Sequence, residues 1–503
     1  MTFCWGDDLL DTTPGLDILG IRGIDQAVEL ALVNGLTTIS QRGRFLSILP
    51  WALGEFLITH ASDGFDWDRL IVYLRRVEFV TLVATRLDND SDGVDASGAL
   101  GADLHQDQVK KLLDGEPVNF PDDKGGAILG TYLGPCRALG LLVDGDDVVP
   151  YRLTPRGKDI WQARNNRLKG SSVAAAISIG TQFTRALAEA AIPDFSLGAL
   201  AQSGEEASLL HDSLVTTWDP GDEAGRAAVT AAYNGLNGTI AWAKGMLADK
   251  PDNAIGLLVR NYQTCIDGKT IDRISLAWAE YEYRRRCHYA LELLLAALAN
   301  HLSELAEASI LRVVTEWSAV DALSPTLAKI WPRAAMAWKA AAVDVAASVP
   351  EDLFVDKALP TGDLRRLAAA DQALAAFAIL TATARQTKRL RQEGHLDRKP
   401  ESPGERALAI VEAADSEPFS NLLGKLVELT ALAHLQTTLR KMGAGQKCSL
   451  RFFPDGPLLR PTGIGVLPGH SNDRLTNVLR ILADVDEIRR DGSRFTPSNG
   501  AAR

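Results

Sequence analysis

The sequence predicts a mainly α, multi-domain protein with a small helix-and-hairpin module and a small α/β carboxy-terminal region. Three observations carry that expectation. Apolar residues recur at helical spacing through most of the chain. Two segments share a helix, strand, Gly turn, strand, Thr-Pro layout. The length of 503 residues exceeds the roughly 250–300 residues at which single cores stop growing. The segments expected in chain order are 1–99, 100–169, 170–390 and 404–503.

Between residues 20 and 60 the pattern predicts two helices. Ile24, Val28, Ala31 and Leu32 share one face, and Asn34-Gly35 stops that helix. Leu46, Leu49, Leu53 and Leu57 line the second, where Pro50 should kink the helix or mark its first turn. A third helix is expected from about Trp67 to Leu87, followed by an acidic break over Asp88–Gly98. Short helices follow at 104–113 and within Gly125–Leu142. After the Asp144–Asp147 turn, Val148, Val149, Tyr151 and Leu153 suit a strand, and Thr154-Pro155 opens a helix.

Residues 170–400 are expected to be the helical bulk. The clearest helix starts near Ile274 and passes His301, with Leu291, Leu294, Leu295, Leu298, Leu302 and Leu305 in one stripe. The charged run 388–406, with Pro400 and Pro403, suits a domain linker. Residues 405–442 are helical again, and Ser449–Phe453 is strand-like. Gly456–Gly469 suits a loop or ribbon. Arg474–Val485 suits a helix, followed by a strand pair about Asp491-Gly492.

An apolar content of 46% supports real cores and excludes a disordered chain. A net charge of −11 argues against coating nucleic acid through bulk charge, though not against a local basic face. The five cysteines, Cys4, Cys136, Cys265, Cys287 and Cys448, have no CxxC spacing. That excludes a zinc ribbon and favours reduced thiols packed as small hydrophobes. The start, Met-Thr-Phe-Cys-Trp-Gly-Asp-Asp, has neither a basic region nor an apolar core, so no signal peptide is expected. No stretch reaches the roughly 18 apolar residues of a membrane span. The Ala- and Arg-rich composition suits a bacterial, cytoplasmic protein.

The two repeated layouts are Leu139–Gly157 and Leu482–Pro497. A Gly turn permits the tight hairpin, the strands lay apolar residues on the preceding helix, and Thr caps the next helix. The layout resembles the end of a winged helix-turn-helix domain, so 100–169 is assigned as a winged-helix-like module and 404–503 as ending in a second such element. In that resemblance the Gly126–Leu142 helix would enter a major groove, with the wing on phosphate. Arg137, Arg152, Arg156, Lys158, Arg164, Arg167 and Lys169 are then the nucleic-acid-binding candidates, opposed locally by Asp159 alone. Against this, the reading helix offers only Thr131, Tyr132 and Arg137, and Asp144, Asp146 and Asp147 would repel phosphate at the wing tip. A winged helix used for protein contact or internal packing is the competing expectation.

Gly20-Ile-Arg, Asn34-Gly-Leu-Thr-Thr-Ile-Ser and Arg42-Gly-Arg-Phe-Leu-Ser-Ile-Leu-Pro-Trp51 form a further pattern. It resembles the amino-terminal segment of poorly characterised bacterial proteins of anti-phage defence and mobile islands, with Phe45 where Tyr is usual. The resemblance implies a defence setting and association with DNA. It supplies no catalytic residue.

Other chemistries are weaker. Asp88-Asn-Asp-Ser-Asp-Gly93 matches half of a calcium loop, but Ala99 stands where the bidentate acid belongs, and a solvated acidic linker is expected instead. His288 and Glu292, beside Arg284, Arg285 and Arg286, suit an i,i+4 pair on a helix flank, with the arginines paired to Glu280 and Glu282. Asp252, Asp267 and Lys269 spell a nuclease pattern in a helix-and-loop context. His470, Asn472 and Asp473 suit a helix start. Gly463-Ile-Gly465 lacks nucleotide-fingerprint spacing. No catalytic residue, metal ligand or cofactor is therefore expected. The expected function is a non-catalytic DNA-associated or scaffold subunit of a bacterial complex, in anti-phage defence. Its expected partners are double-stranded DNA and other protein subunits, with no membrane. The alternatives are an enzyme with an unrecognised site, a nuclease first, and a ligand- or calcium-responsive regulator.

Overall fold

The computed structural model describes residues 17–59, 65–93, 95–146, 149–268, 272–320, 323–392, 401–469 and 473–498. The chain is mainly helical. It begins with α1 (Arg22–Val33), α2 (Phe45–Thr59), α3 (Trp67–Asp92), α4 (Gln106–Leu113) and α5 (Ala127–Ala138). Strands β1 (Leu142–Asp144) and β2 (Tyr151–Leu153) follow, then α6 (Pro155–Leu168), α7 (Ser172–Ile179), α8 (Arg185–Phe195) and α9 (Glu205–Val215). Next come α10 (Glu223–Asp249), α11 (Ala254–Ile266), α12 (Arg273–Leu305), α13 (Ile310–Ser318), α14 (Pro325–Ile330), α15 (Ala342–Ser348) and α16 (Thr361–Leu364). The rest is α17 (Ala369–Gln392), α18 (Pro403–Glu412), α19 (Phe419–Gly443), β3 (Phe452–Asp455), β4 (Leu458–Pro461), α20 (Leu475–Asp484), β5 (Ile488–Asp491) and β6 (Arg494–Pro497). Each strand pair is an isolated antiparallel hairpin: β1 with β2, β3 with β4, β5 with β6. Among the described residues no helix is long and apolar enough to cross a membrane.

Two compact units form, each from non-contiguous segments. The α12 unit comprises Met1–Glu29 and Leu258–Ser471, and the α2 unit comprises Leu30–Leu257 and Asn472–Arg503. The segments expected in chain order are therefore not the compact bodies. The carboxy-terminal region divides at residue 471, with β3–β4 in the α12 unit and α20 with β5–β6 in the α2 unit. The run 388–406 lies inside the α12 unit, where the Arg391 guanidinium bonds the Glu412 carboxylate.

In the α12 unit, α12 is the central helix. Leu291, Leu293, Leu294, Leu295 and Leu298 are all fully buried. A helix apolar on every side must be covered on every side, and α17, α18, α19 and β4 pack around this one. In the α2 unit, α2 is the buried helix, in contact with α5 and α6. Pro50 sits inside it rather than in its first turn. Helix α3 packs against α8, and α10 against β6.

Helix α3 continues to Asp92 and ends on Gly93 at φ +69°, so the acidic run 88–92 is helix rather than a break. Asp88 faces inward and accepts from the Ser196 hydroxyl. The helix-and-hairpin segment forms as its chemistry predicts. Thr154 Oγ1 accepts from Gly157 N at 3.0 Å and donates to Gly140 O at 2.6 Å, and Pro155 takes the first helical turn. Gly157 is a tight point, because a Cβ there would overlap the Leu141 carbonyl oxygen. Backbone cannot move aside as a flexible side chain can. Gly157→Ala should therefore destabilise the chain by about 1–3 kcal/mol, read as a lower urea midpoint at unchanged slope; an unchanged midpoint would show that α6 and β1 are not locked together here.

Candidate nucleic-acid interface

The seven basic candidates do not form one exposed face. Arg164 has no accessible surface. It donates to Glu206 Oε1 at 2.6 Å and to Asp194 O at 2.8 Å, under the rings of Trp51 and Phe195, each 5.4 Å from its guanidinium carbon. Arg167 bonds Glu206 and donates to Asp194 Oδ1 at 2.8 Å and Ser203 O at 3.1 Å. Arg156 is spread over Leu139 O, Tyr233 OH, Thr216 O and Thr217 O at 3.0–3.2 Å. These three are corrections to the expected set, since guanidinium groups engaged internally cannot meet phosphate without breaking those bonds. The local sequence shows Asp159 as the opposing acid; the acids that oppose Arg164 and Arg167 here are Glu206 and Asp194, 27 to 42 positions away.

Arg137 pairs with Asp144 and Arg152 with Asp146 at the β1–β2 hairpin, so these acids and bases neutralise each other. Lys158 and Lys169 are exposed at the two ends of α6. On α5, Thr131 and Tyr132 are buried. Its exposed positions include Ala127, Gly130 and Gly134, which carry no group that reads a base edge.

The densest constellation in this unit centres instead on Glu206, which the sequence reading passed over. Its signal is periodic: Glu206 shares the buried face of α9 with Leu210 and Leu214. A carboxylate at i, followed by leucines at i+4 and i+8, announces a buried charge that needs partners. Those partners are Arg164, Arg167, Arg44 at 3.5 Å and the Ser47 hydroxyl. Burial raises the Glu206 pKa, but Arg164, Arg44 and Arg167 outweigh it and hold the carboxyl at about 2. Burial also lowers Arg44 to about 10, with Glu206 opposing the shift.

Arg44, Ser47 and Trp51 of the Arg42–Trp51 pattern converge on the same place. Arg44 donates to Ser196 O at 2.6 Å and Pro193 O at 2.7 Å. Trp51 meets Phe195 edge-on at 5.6 Å, and Phe45 packs on Tyr132 at 4.9 Å. Arg42 grips Asp484 through two bonds of 3.0 Å and donates to Asp95 O at 2.6 Å.

The remaining candidates have structural settings. His288 is buried, not on a flank, with Nδ1 2.8 Å from Asp25 Oδ2 and Nε2 3.2 Å from Glu292 Oε1. Burial lowers its pKa, but the two carboxylates raise it further, to about 10. Arg284 pairs with Glu280, and Arg285 and Arg286 pair with Glu282, all buried along α12. Asp88 and Asp90 are two positions apart on a helix, roughly 200° around its axis, so they do not converge as a calcium loop would. Asp252 pairs through its backbone with Phe495. Asp473 Oδ1 accepts from Thr476 N at 2.7 Å at the start of α20. Asp147, Val148, Lys269, His470 and Asn472 lie outside the described residues. Among the described residues no group of three His, Cys, Asp or Glu is placed to hold a metal ion. Comparison with family models, curated proteins and solved structures finds no match.

The Glu206 cluster has a pH signature. Its carboxyl titrates near 4.5 when unfolded and near 2 when folded. The stabilisation is therefore complete above the higher value and is lost as pH falls through the lower one. Glu206→Gln should cost about 3–5 kcal/mol at pH 7, because it leaves three guanidinium groups without their shared carboxylate. Urea midpoints taken from pH 7 to 2 should fall less steeply in the variant; parallel profiles would remove Glu206 as the linked group.

Proposed function

We propose that the chain is a non-catalytic scaffold subunit that self-associates through the outer face of α19. The observation that carries this is a row of leucines. Leu432 and Leu439 are 52% and 54% exposed, with Leu435 partly buried between them. Their 3-then-4 spacing is the seam that paired helices use. An antiparallel pair centred on Leu435 brings exposed Glu428 of one copy towards Arg440 of the other, so the flanking charges complement a second copy of the same helix. The β1–β2 module fits this reading as a winged-helix-like element used for internal packing: α5 and α6 lie on α2, and Arg156, Arg164 and Arg167 tie the module to α8, α9 and α10. The bacterial anti-phage setting rests on the resemblance of the Arg42–Trp51 pattern.

Sedimentation velocity should show a concentration-dependent dimer that Leu432→Lys with Leu439→Lys converts to monomer, with the helical circular dichroism retained. A monomer at all concentrations, or a dimer indifferent to both changes, sinks the proposal.

Duplex DNA is the second reading, favoured by the exposed Lys158 and Lys169 flanking α6. Fluorescence anisotropy at two salt concentrations separates the two readings. The scaffold reading expects no salt-dependent binding. Binding that weakens with salt and with Lys158→Ala and Lys169→Ala would restore DNA as the partner.

A further inference from the structure

We propose that the groove between α15, α17 and α18 binds a small organic phosphate, a phosphate monoester carrying an apolar group. The groove encloses about 510 Å³, within the range of small-molecule sites. One face of α17 supplies its polar floor: Thr381, Arg385, Lys388, Arg391 and Gln392 recur at helical spacing. Val343 and Ala347 of α15 and Val411 of α18 supply the apolar walls.

Charge selects the ligand class. Among the described residues of the lining Glu412 is the acid, and Arg391 engages it. Glu405 stands behind Arg391 at 3.7 Å and accepts from the Tyr283 hydroxyl at 2.6 Å. Arg391 is thus matched by carboxylates, while Arg385 and Lys388 bring two further positive charges. A phosphate monoester carries about −1.5 to −2 at neutral pH, which balances them.

The arginines are held ready. Arg385 donates to Val349 O at 2.9 Å and to Ala346 O at the end of α15. Arg391 donates to Ala384 O and to Thr387 Oγ1, each at 3.1 Å. Guanidinium groups fixed in this way lose little freedom when an oxyanion arrives.

A second, independent observation concerns another residue of the groove's lining. Thr381 is 3% exposed, and its hydroxyl makes no hydrogen bond. Thr383 O, by contrast, accepts from the Thr387 hydroxyl at 2.7 Å on the same helix. A buried hydroxyl without a partner is uncommon, because burial removes its water and returns nothing. A phosphate oxygen seated between Arg385 and Lys388 would supply the acceptor.

The test titrates the full-length protein with 1-naphthyl phosphate, followed by isothermal calorimetry, beside 1-naphthol and inorganic phosphate. Naphthyl phosphate should bind, and each fragment should bind at least roughly tenfold more weakly. Lys388→Met, at an exposed site that leaves the fold intact, should weaken binding by about tenfold. Thr381→Val should do the same, while Thr381→Ser restores it. Absence of binding at about 1 mM overturns the proposal. So does equal binding of naphthol, or affinity unchanged in both Lys388→Met and Thr381→Val.

Discussion

Glu206 places a carboxylate at a point of the α2 unit that solvent does not reach, and three guanidinium groups and a hydroxyl gather around it. A lone charge at such a site would cost several kcal/mol. Arg44 directly precedes α2, Arg164 and Arg167 belong to α6, and Glu206 to α9, so the charges align only when the three helices are in place. The arginines then reach outward to the backbone of 193–203, which fixes the loop between α8 and α9. Trp51 and Phe195 close over Arg164 and exclude water from its flat faces. The same exclusion that makes the ion cluster expensive to assemble makes each of its bonds stronger once it is formed.

The α12 unit meets a related constraint by a different route. Helix α12 carries Glu280, Glu282, Arg284, Arg285, Arg286 and His288 in positions that are almost wholly buried. Here most charges are matched along the helix, at spacings of three and four, which brings side chains together before any tertiary contact forms. Aromatic rings complete the enclosure, with Tyr262 4.3 Å from the Arg286 guanidinium carbon. His288 also reaches across helices, to Asp25 of α1. One unit therefore pools its buried charge at a junction between helices, and the other spreads it along a single helix.

The contrast explains what was legible in the sequence. Local rules were readable. The helical stripe of α12, the Thr154 cap, the hairpins and the Arg284–Arg286 pairing with Glu280 and Glu282 all depend on residues within a few positions of one another. The Glu206 cluster depends on pairs 39 to 162 positions apart, from Arg167–Glu206 to Arg44–Glu206, and no local rule links them. Asp159 is the one acid within 152–169, so Arg164 and Arg167 read locally as a free face. The groove on α17 was missed for a related reason. Its last basic turn is continuous in sequence with the charged run that follows it, although Arg391 bonds the α18 residue Glu412 beyond that run.

An arginine used to hold a fold and an arginine used to hold a ligand present the same letter, and the difference lies in what already occupies the guanidinium. In the α2 unit all the partners are protein groups, and several are backbone carbonyls that have no other role at a helix end. Displacing them with phosphate would release Glu206 into an apolar enclosure, so ligand binding there would oppose folding. In the α17 groove the balance is reversed. There Arg385 and Arg391 are also anchored on protein groups, but exposed Lys388 adds a positive charge beside them, so an incoming anion gains interactions without releasing a buried carboxylate. Two sets of basic residues in one chain are thus separated by whether binding and folding compete, which follows from the count of acceptors around each group rather than from the count of arginines.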